Sequence, residues 1–185
     1  VYGDAGTDSI TIGGQVENSL IRTGSGNDTL IIRGGLGNAT QIFTDDGDDI
    51  IILEGTSFIP EAAYINGGSG NDTIFIDGDA TNLQLYGEDG DDVVVLKAGS
   101  LVEFQERYEG LLASLSDYDY FQIESILFDV YGVADSAVID WLEEKGIRSD
   151  DITYGGPLPG NERFSAILAG GMAQLPGELA DLVAE

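Results

Sequence analysis

Apolar residues recur in pairs two positions apart along the first hundred residues. The pairs are Ile10 and Ile12, Leu30 and Ile32, Ile51 and Leu53, Ile74 and Ile76, and Val94 and Leu96. A period of two places both members of a pair on one face of a β-strand. Each pair follows a short turn rich in glycine and acid. A second short strand leads into each turn and carries Val1, Ile21, Ile42, Ile65 or Leu85 at the matching position. A further turn separates one unit from the next: GGQVEN from Gly13, GGLGNA from Gly34 and DGDATN from Asp77. The third unit carries a longer loop around Pro60 instead.

The acidic turns with their following strands read GDAGTDSITI from Gly3, TGSGNDTLII from Thr23, TDDGDDIIIL from Thr44, GGSGNDTIFI from Gly67 and GEDGDDVVVL from Gly87. Their last turn residues are Asp8, Asp28, Asp49, Asp72 and Asp92, spaced by 20, 21, 23 and 20. A repeat of this length means stacked supersecondary units, none of which buries its apolar face alone. Turn, strand, turn, strand is one flattened coil. The expected fold is therefore mainly β: a parallel β-solenoid, β-roll-like, of about five coils of about 20 residues, with adjacent coils about 4.8 Å apart. An antiparallel meander would also place glycine between strands. It would not require the same acid in every turn.

From about Ala98 the pattern changes, which divides the chain into a solenoid over 1–97 and a mixed α/β capping region over 98–185. Leu101, Phe104, Tyr108, Leu111, Leu112 and Leu115 fall at helical spacing behind Ser100, a candidate N-cap, and predict a helix over 100–115. A strand is expected in YFQIESILFDVYG from Tyr120, and a second helix over 136–146, stopped by Gly146. A Gly/Pro-punctuated loop, YGGPLPGN, and an alanine-rich tail follow. Solenoids need an atypical unit over the open end of their ladder, so this region reads as a cap.

Charge narrows the chemistry. Thirty-four acids against seven bases give a net charge of −27, with no histidine to titrate near neutrality. Such acidity excludes nucleic acid, which requires a basic footprint, and disfavours anionic membrane surfaces. An apolar fraction of 42% sets the chain apart from disordered acidic tails. With neither cysteine nor histidine the available metal ligands are oxygens, which suit calcium rather than zinc or copper. No apolar stretch reaches membrane-spanning length. The chain opens on Val1 without a signal peptide, as expected of a piece of a longer protein.

Stacking the repeats aligns five carboxylates in a column, and a column of like charges needs a cation. The turns Gly24-Ser25-Gly26-Asn27-Asp28 and Gly67-Gly68-Ser69-Gly70-Asn71-Asp72 resemble the calcium repeat of the RTX (hemolysin-type) family, Gly-Gly-x-Gly-x-Asp before an apolar residue. Glycine permits the backbone geometry that turns carbonyls toward one point. Calcium takes six to eight oxygens, which carbonyls and carboxylates can supply. The resemblance implies ions lying between consecutive turns, at most four for five turns. It implies metal sites at Asp8, Asp28, Asp49, Asp72 and Asp92, with Gly24, Gly26, Gly68, Gly70, Asn27 and Asn71 in the same turns. It also implies a secreted, extracellular or cell-surface location and an adhesive or structural role, with other protein chains or extracellular matrix as partners.

This chain departs from the RTX pattern in having the acidic motif on one edge of the coil. The other edge carries Asn18, Asn38 and Asn82, and a hydrogen-bonded amide ladder is expected there. Turns three and five replace glycines by Asp45 and Asp46, or by Glu88 and Asp89, which puts carbonyl geometry there in question.

Three formal glycosylation sequons begin at Asn27, Asn38 and Asn71, and two fall inside the acidic turns. Gly35-Leu36-Gly37 lacks the strand–helix context of a dinucleotide loop. Paired carboxylates such as Asp48 and Asp49 are repeated elements, which marks structural ligands rather than an active site, so no catalysis is expected. The repeat also resembles the solenoids of ice-binding adhesins, which present regular Thr and Asn arrays. Here the third and fifth turn positions mix Ala5, Ser25, Asp46, Ser69 and Asp89 with Thr7, Asn27, Asp48, Asn71 and Asp91, too acidic and irregular for a lattice. A glycan-binding face, or an accessory module of a secreted protease or polysaccharide-modifying enzyme, is the remaining alternative. Finally, Ile31, Ile52, Phe75 and Val95 form an outward apolar column. The segment 100–115, or the strand around Ile123 and Ile126, is expected to fold over it.

Overall fold

The computed structural model describes residues 1–55, 63–98, 101–116, 123–130 and 152–154, together with Ala137, Asp140, Trp141, Glu144 and Lys145. Five strands follow the acidic turns: β1 (Ser9–Ile12), β3 (Thr29–Ile32), β5 (Ile50–Glu54), β7 (Thr73–Asp77) and β9 (Asp92–Ala98). Four precede them: β2 (Leu20–Ser25), β4 (Gln41–Asp46), β6 (Ala63–Ser69) and β8 (Leu83–Asp89). In the first coil the leading strand is reduced to the bridges Tyr2 to Arg22 and Ala5 to Ser25. The fold is a parallel β-solenoid of four complete coils and a partial first one.

All pairings are parallel and equivalent repeat positions face each other. Ile10 pairs with Leu30, Leu30 with Ile51, Ile51 with Ile74 and Ile74 with Val94. On the other sheet Ile21, Ile42, Ile65 and Leu85 form the matching column. The two sheets face each other across one interior cluster containing Leu30, Ile51, Ile74 and Val94 with Ile21, Ile42, Ile65 and Leu85. Ile10 and Ile12 are only partly buried against it, and Val1 is exposed, because no coil covers the N-terminal end.

The sheet does not stop at the boundary expected near residue 98. After α1 (Leu101–Ser116), β10 (Ile123–Val130) pairs in parallel with β9, and β11 (Ile152–Tyr154) pairs with β10. The sequence predicts β10 but not β11. Within the expected second helix Ala137, Asp140, Trp141 and Glu144 are helical, and the Lys145 amide donates to the Trp141 carbonyl. The Pro60 loop, the Ser100 cap and the C-terminal tail lie outside the described residues.

Helix α1 serves a different purpose from the one expected. It packs against β8 and β9, and Phe104, Tyr108 and Leu111 enter the interior cluster. It plugs the end of the ladder and does not lie over the outward column. Ile31, Ile52 and Val95 are nonetheless buried and Phe75 is half-buried between them. Backbone pairing also places β10 beside β9 in the same sheet rather than across it.

The plug is fixed by one hydroxyl: Tyr108 Oη lies 2.9 Å from the Ile76 carbonyl and 2.5 Å from that of Lys97. Burial holds the Tyr108 phenol up at about 12, so it remains a donor. Tyr108→Phe should cost about 1–3 kcal/mol, since it strands buried carbonyls. Val102→Ala, at a position 61% exposed, should stay within about 0.5 kcal/mol in the same denaturant titration.

The outer face of the four-stranded sheet carries an aromatic ladder. Ring centroids lie 5.4 Å apart for Phe43–Tyr64 and 5.0 Å for Tyr64–Tyr86, and the Arg22 guanidinium sits 5.0 Å above Phe43. On the second edge Asn18 and Asn38 are joined through the backbone, the Asn18 amide donating to the Asn38 carbonyl at 2.7 Å. The buried Asn38 Oδ1 has no hydrogen-bond partner, so these two side chains do not form the expected amide ladder.

Candidate metal centre

The acidic turns repeat the same backbone in every coil. The fourth residue is always glycine: Gly6, Gly26, Gly47, Gly70 and Gly90 have φ of 132°, 119°, 139°, 130° and 135°. A Cβ on Gly47 would sit 2.2 Å from the Gly26 carbonyl oxygen, and the other stacked copies are as tight. Coil stacking therefore forbids any side chain here. Gly47→Ala should strongly destabilise the fold, by more than the ~1 kcal/mol of an ordinary Gly-to-Ala change. At Gly14, where a Cβ meets nothing within 4 Å, the same change should have little effect on the melting temperature.

The second turn residue is less demanding. Gly24 and Gly68 have φ of 109° and 104°, while Asp4, Asp45 and Glu88 hold 74°, 70° and 76°. The substitutions in turns three and five thus keep the left-handed turn. Asp and Glu reach the αL region, which the fourth position lies well outside.

The final aspartates form a ladder of one polarity. The backbone amide of Asp8 donates to Asp28 Oδ1 at 2.8 Å, that of Asp28 to Asp49 at 2.7 Å, that of Asp49 to Asp72 at 2.8 Å and that of Asp72 to Asp92 at 2.9 Å. Each carboxylate is held by the coil before it. Asp28, Asp49, Asp72 and Asp92 are at most 2% exposed. The second oxygen, Oδ2, is buried without a hydrogen-bond partner in all five aspartates. In coils four and five this oxygen rests against the first turn residue: a Cβ on Gly67 would lie 2.3 Å from Asp72 Oδ2, and one on Gly87 2.0 Å from Asp92 Oδ2.

Burial of these carboxylates disfavours their charge. It holds Asp49 and Asp72 up at about 7 and Asp92 at about 6, against an ordinary 3.8, although an amide hydrogen bond pulls each of them down. Neighbouring carboxylates add to the rise: Asp28 for Asp49, Asp49 and Asp92 for Asp72, and Asp91 for Asp92. A proton or a metal ion relieves that stress. Five orphaned, buried, anionic oxygens in one column fit a hard cation with oxygen ligands. Among the described residues no three acidic side chains converge on one point, so carbonyls of adjacent turns would have to complete a calcium shell.

Asn27 and Asn71 serve a second ladder, which the sequence did not reveal. The Asp48 amide donates to Asn27 Oδ1 at 3.0 Å, the Asn71 amide to Asp48 Oδ1 at 2.8 Å and the Asp91 amide to Asn71 Oδ1 at 2.9 Å. Its polarity is opposite: side chains of the fifth position accept from the following coil. A third rail runs through Thr23 and Thr44, whose hydroxyls donate to the Thr44 and Gly67 carbonyls at 3.0 and 2.7 Å. The recurrence of Asn or Asp at the fifth position is the signal that could have shown the second ladder. The two threonines gave no comparable pattern.

The chain matches no family model, no curated protein and no solved structure.

Proposed function

We propose that residues 1–97 form a calcium-stabilised structural or adhesive module of a secreted RTX-like protein. The reading rests on one observation above the rest, the column of buried Oδ2 atoms without partners. Asp8, Asp28, Asp49, Asp72 and Asp92 would supply carboxylate oxygens. The turns containing Gly24, Gly26, Gly68 and Gly70 would add carbonyls. Calcium supplies the positive charge that the seven basic residues do not.

Metal bound at such a site contributes directly to folding, since the unfolded chain does not hold the ligands together. The module would then fold where calcium is plentiful, outside the cell, and serve there as a rigid spacer or a contact surface for other chains or matrix. No role in catalysis is proposed for the repeated acids.

Isothermal titration with calcium at pH 7.5 tests the reading. Up to four ions per chain should bind, with magnesium a poor substitute because it demands octahedral geometry and holds its waters. Absence of saturable calcium binding would overturn the reading.

A further inference from the structure

The two ends of the solenoid are chemically unlike. The C-terminal end is plugged by Phe104, Tyr108 and Leu111 of α1. At the N-terminal end Val1, Tyr2 and Leu20 are 56%, 66% and 39% exposed. A depression of about 610 Å³ opens there, lined among others by Val1, Ile12, Val16, Leu20 and Ile21.

Backbone groups are also open at this end. Val1 accepts from the Arg22 amide and Gly3 donates to the Arg22 carbonyl, so Tyr2, between them, turns its own N–H and C=O away from the second coil. Asp8 and Ile12 accept from the Thr29 and Arg33 amides. By the alternation of a parallel strand, Ser9 and Thr11 then face the free edge.

The two ladders specify what fits there. Every interior aspartate takes an amide from the preceding coil through Oδ1. Asp8 is the next acceptor in that series, and no donor reaches its Oδ1 among the described residues. The fifth-position ladder runs the other way, so the Thr7 amide awaits an Asn or Asp oxygen from a preceding coil. The complementary surface must offer an amide at the sixth turn position, a side-chain oxygen at the fifth, and apolar residues facing Ile12, Val16 and Ile21.

The geometry points to the N-terminal end as a docking surface for an open coil of the same repeat carried by another chain and laid parallel to β1. A second copy of this chain does not meet the requirement. Two N-terminal ends brought face to face would run antiparallel and set Asp8 carboxylate against Asp8 carboxylate, acceptor to acceptor. The C-terminal end of a second copy is closed by α1. The partner is therefore a repeat-bearing polypeptide whose last coil has no cap, bound by strand addition. This inference rests on the hydrogen-bond ladders and not on the identity of the cation.

Hydrogen exchange of the full chain in millimolar calcium tests it, with a synthetic peptide of residues 20–38 as the probe coil. Exchange at Tyr2, Thr7, Ser9 and Thr11 should slow at least tenfold at millimolar peptide. Methylating the peptide amide that corresponds to Asp28, or changing Asp8→Ala in the protein, should weaken the effect at least tenfold. Exchange at Ile51 and Ile74 reports independently whether the solenoid is folded, so failure of the calcium reading would appear there. Unchanged exchange at the edge with a protected interior would overturn the inference. Equal protection by the methylated peptide, or self-association covering the same amides, would overturn it as well.

Discussion

Removing calcium at pH 7.5 should unfold the solenoid or sharply lower its melting temperature, and lowering the pH should partly restore it. The sign follows from the buried carboxylates. In the metal-free fold Asp49 and Asp72 are held up at about 7 and Asp92 at about 6, whereas the unfolded groups titrate near 3.8. Between those values the folded chain binds more protons than the unfolded one. Stability from these groups is therefore complete below about pH 4 and is lost as pH rises through 6 to 7. A loss of ~3 kcal/mol would lower the melting temperature by about 10 °C for a domain of this size.

Calcium replaces the proton. In excess calcium the pH profile should flatten above pH 5, and binding should release protons to the buffer. Each site contributes about 2.7 kcal/mol when calcium stands at a hundred times its Kd. Melting curves by circular dichroism at pH 4.5, 6 and 7.5, with calcium and with chelator, check both arms. A curve that ignores chelator at pH 7.5 would sink the calcium reading.

The architecture was legible in the sequence because one pattern recurs five times. Pairs such as Ile51 and Leu53 can face inward only if every coil keeps the same register, and the model keeps it through all five acidic turns. What the repeat could not convey lies where it ends. The Leu101-to-Ser116 helix was readable from its spacing, but its stripe suits either an open ladder end or an outward column equally well. Phe104 and Tyr108 take the ladder end because an uncovered interior exposes apolar groups from both sheets, while the outer face offers one column. The strand Ile152–Tyr154 is three residues long and carries no period to read.

The site was legible to the level of residue type and no further. The invariant aspartate marked the column, and the invariant fourth glycine marked the tight stack, as the 2.2 Å approach at Gly47 explains. Direction was hidden. A sequence does not say whether an aspartate accepts from the coil before or the coil after. The two adjacent turn positions turn out to accept in opposite senses, at Asp49 from Asp28 and at Asp48 from Asn71. Nor does it distinguish one oxygen of a carboxylate from the other, which is the distinction on which the candidate metal centre depends.

Asp49→Asn should change sign with the solvent, and that sign separates a metal ligand from a structural acid. The amide keeps Oδ1, so the Asp28 amide, 2.7 Å away, retains its acceptor. It removes the charge and leaves an unpaired NH₂ where Oδ2 was buried. Without calcium, a shift of about three pKa units corresponds to ~4 kcal/mol of disfavoured charge, while an unpaired buried amide costs about 1–3 kcal/mol. The Asn variant should therefore melt above the parent protein in chelator at pH 7.5. In calcium the order should reverse, because an interior carboxylate adjoins two candidate ion sites and both lose a ligand. Asp8→Asn, next to one site, should show the same crossing at about half the size. Asp49→Ala strands the Asp28 amide as well and should lose stability in both solvents. If Asp49→Asn proves more stable than the parent with calcium present as well as without it, the column holds protons rather than metal.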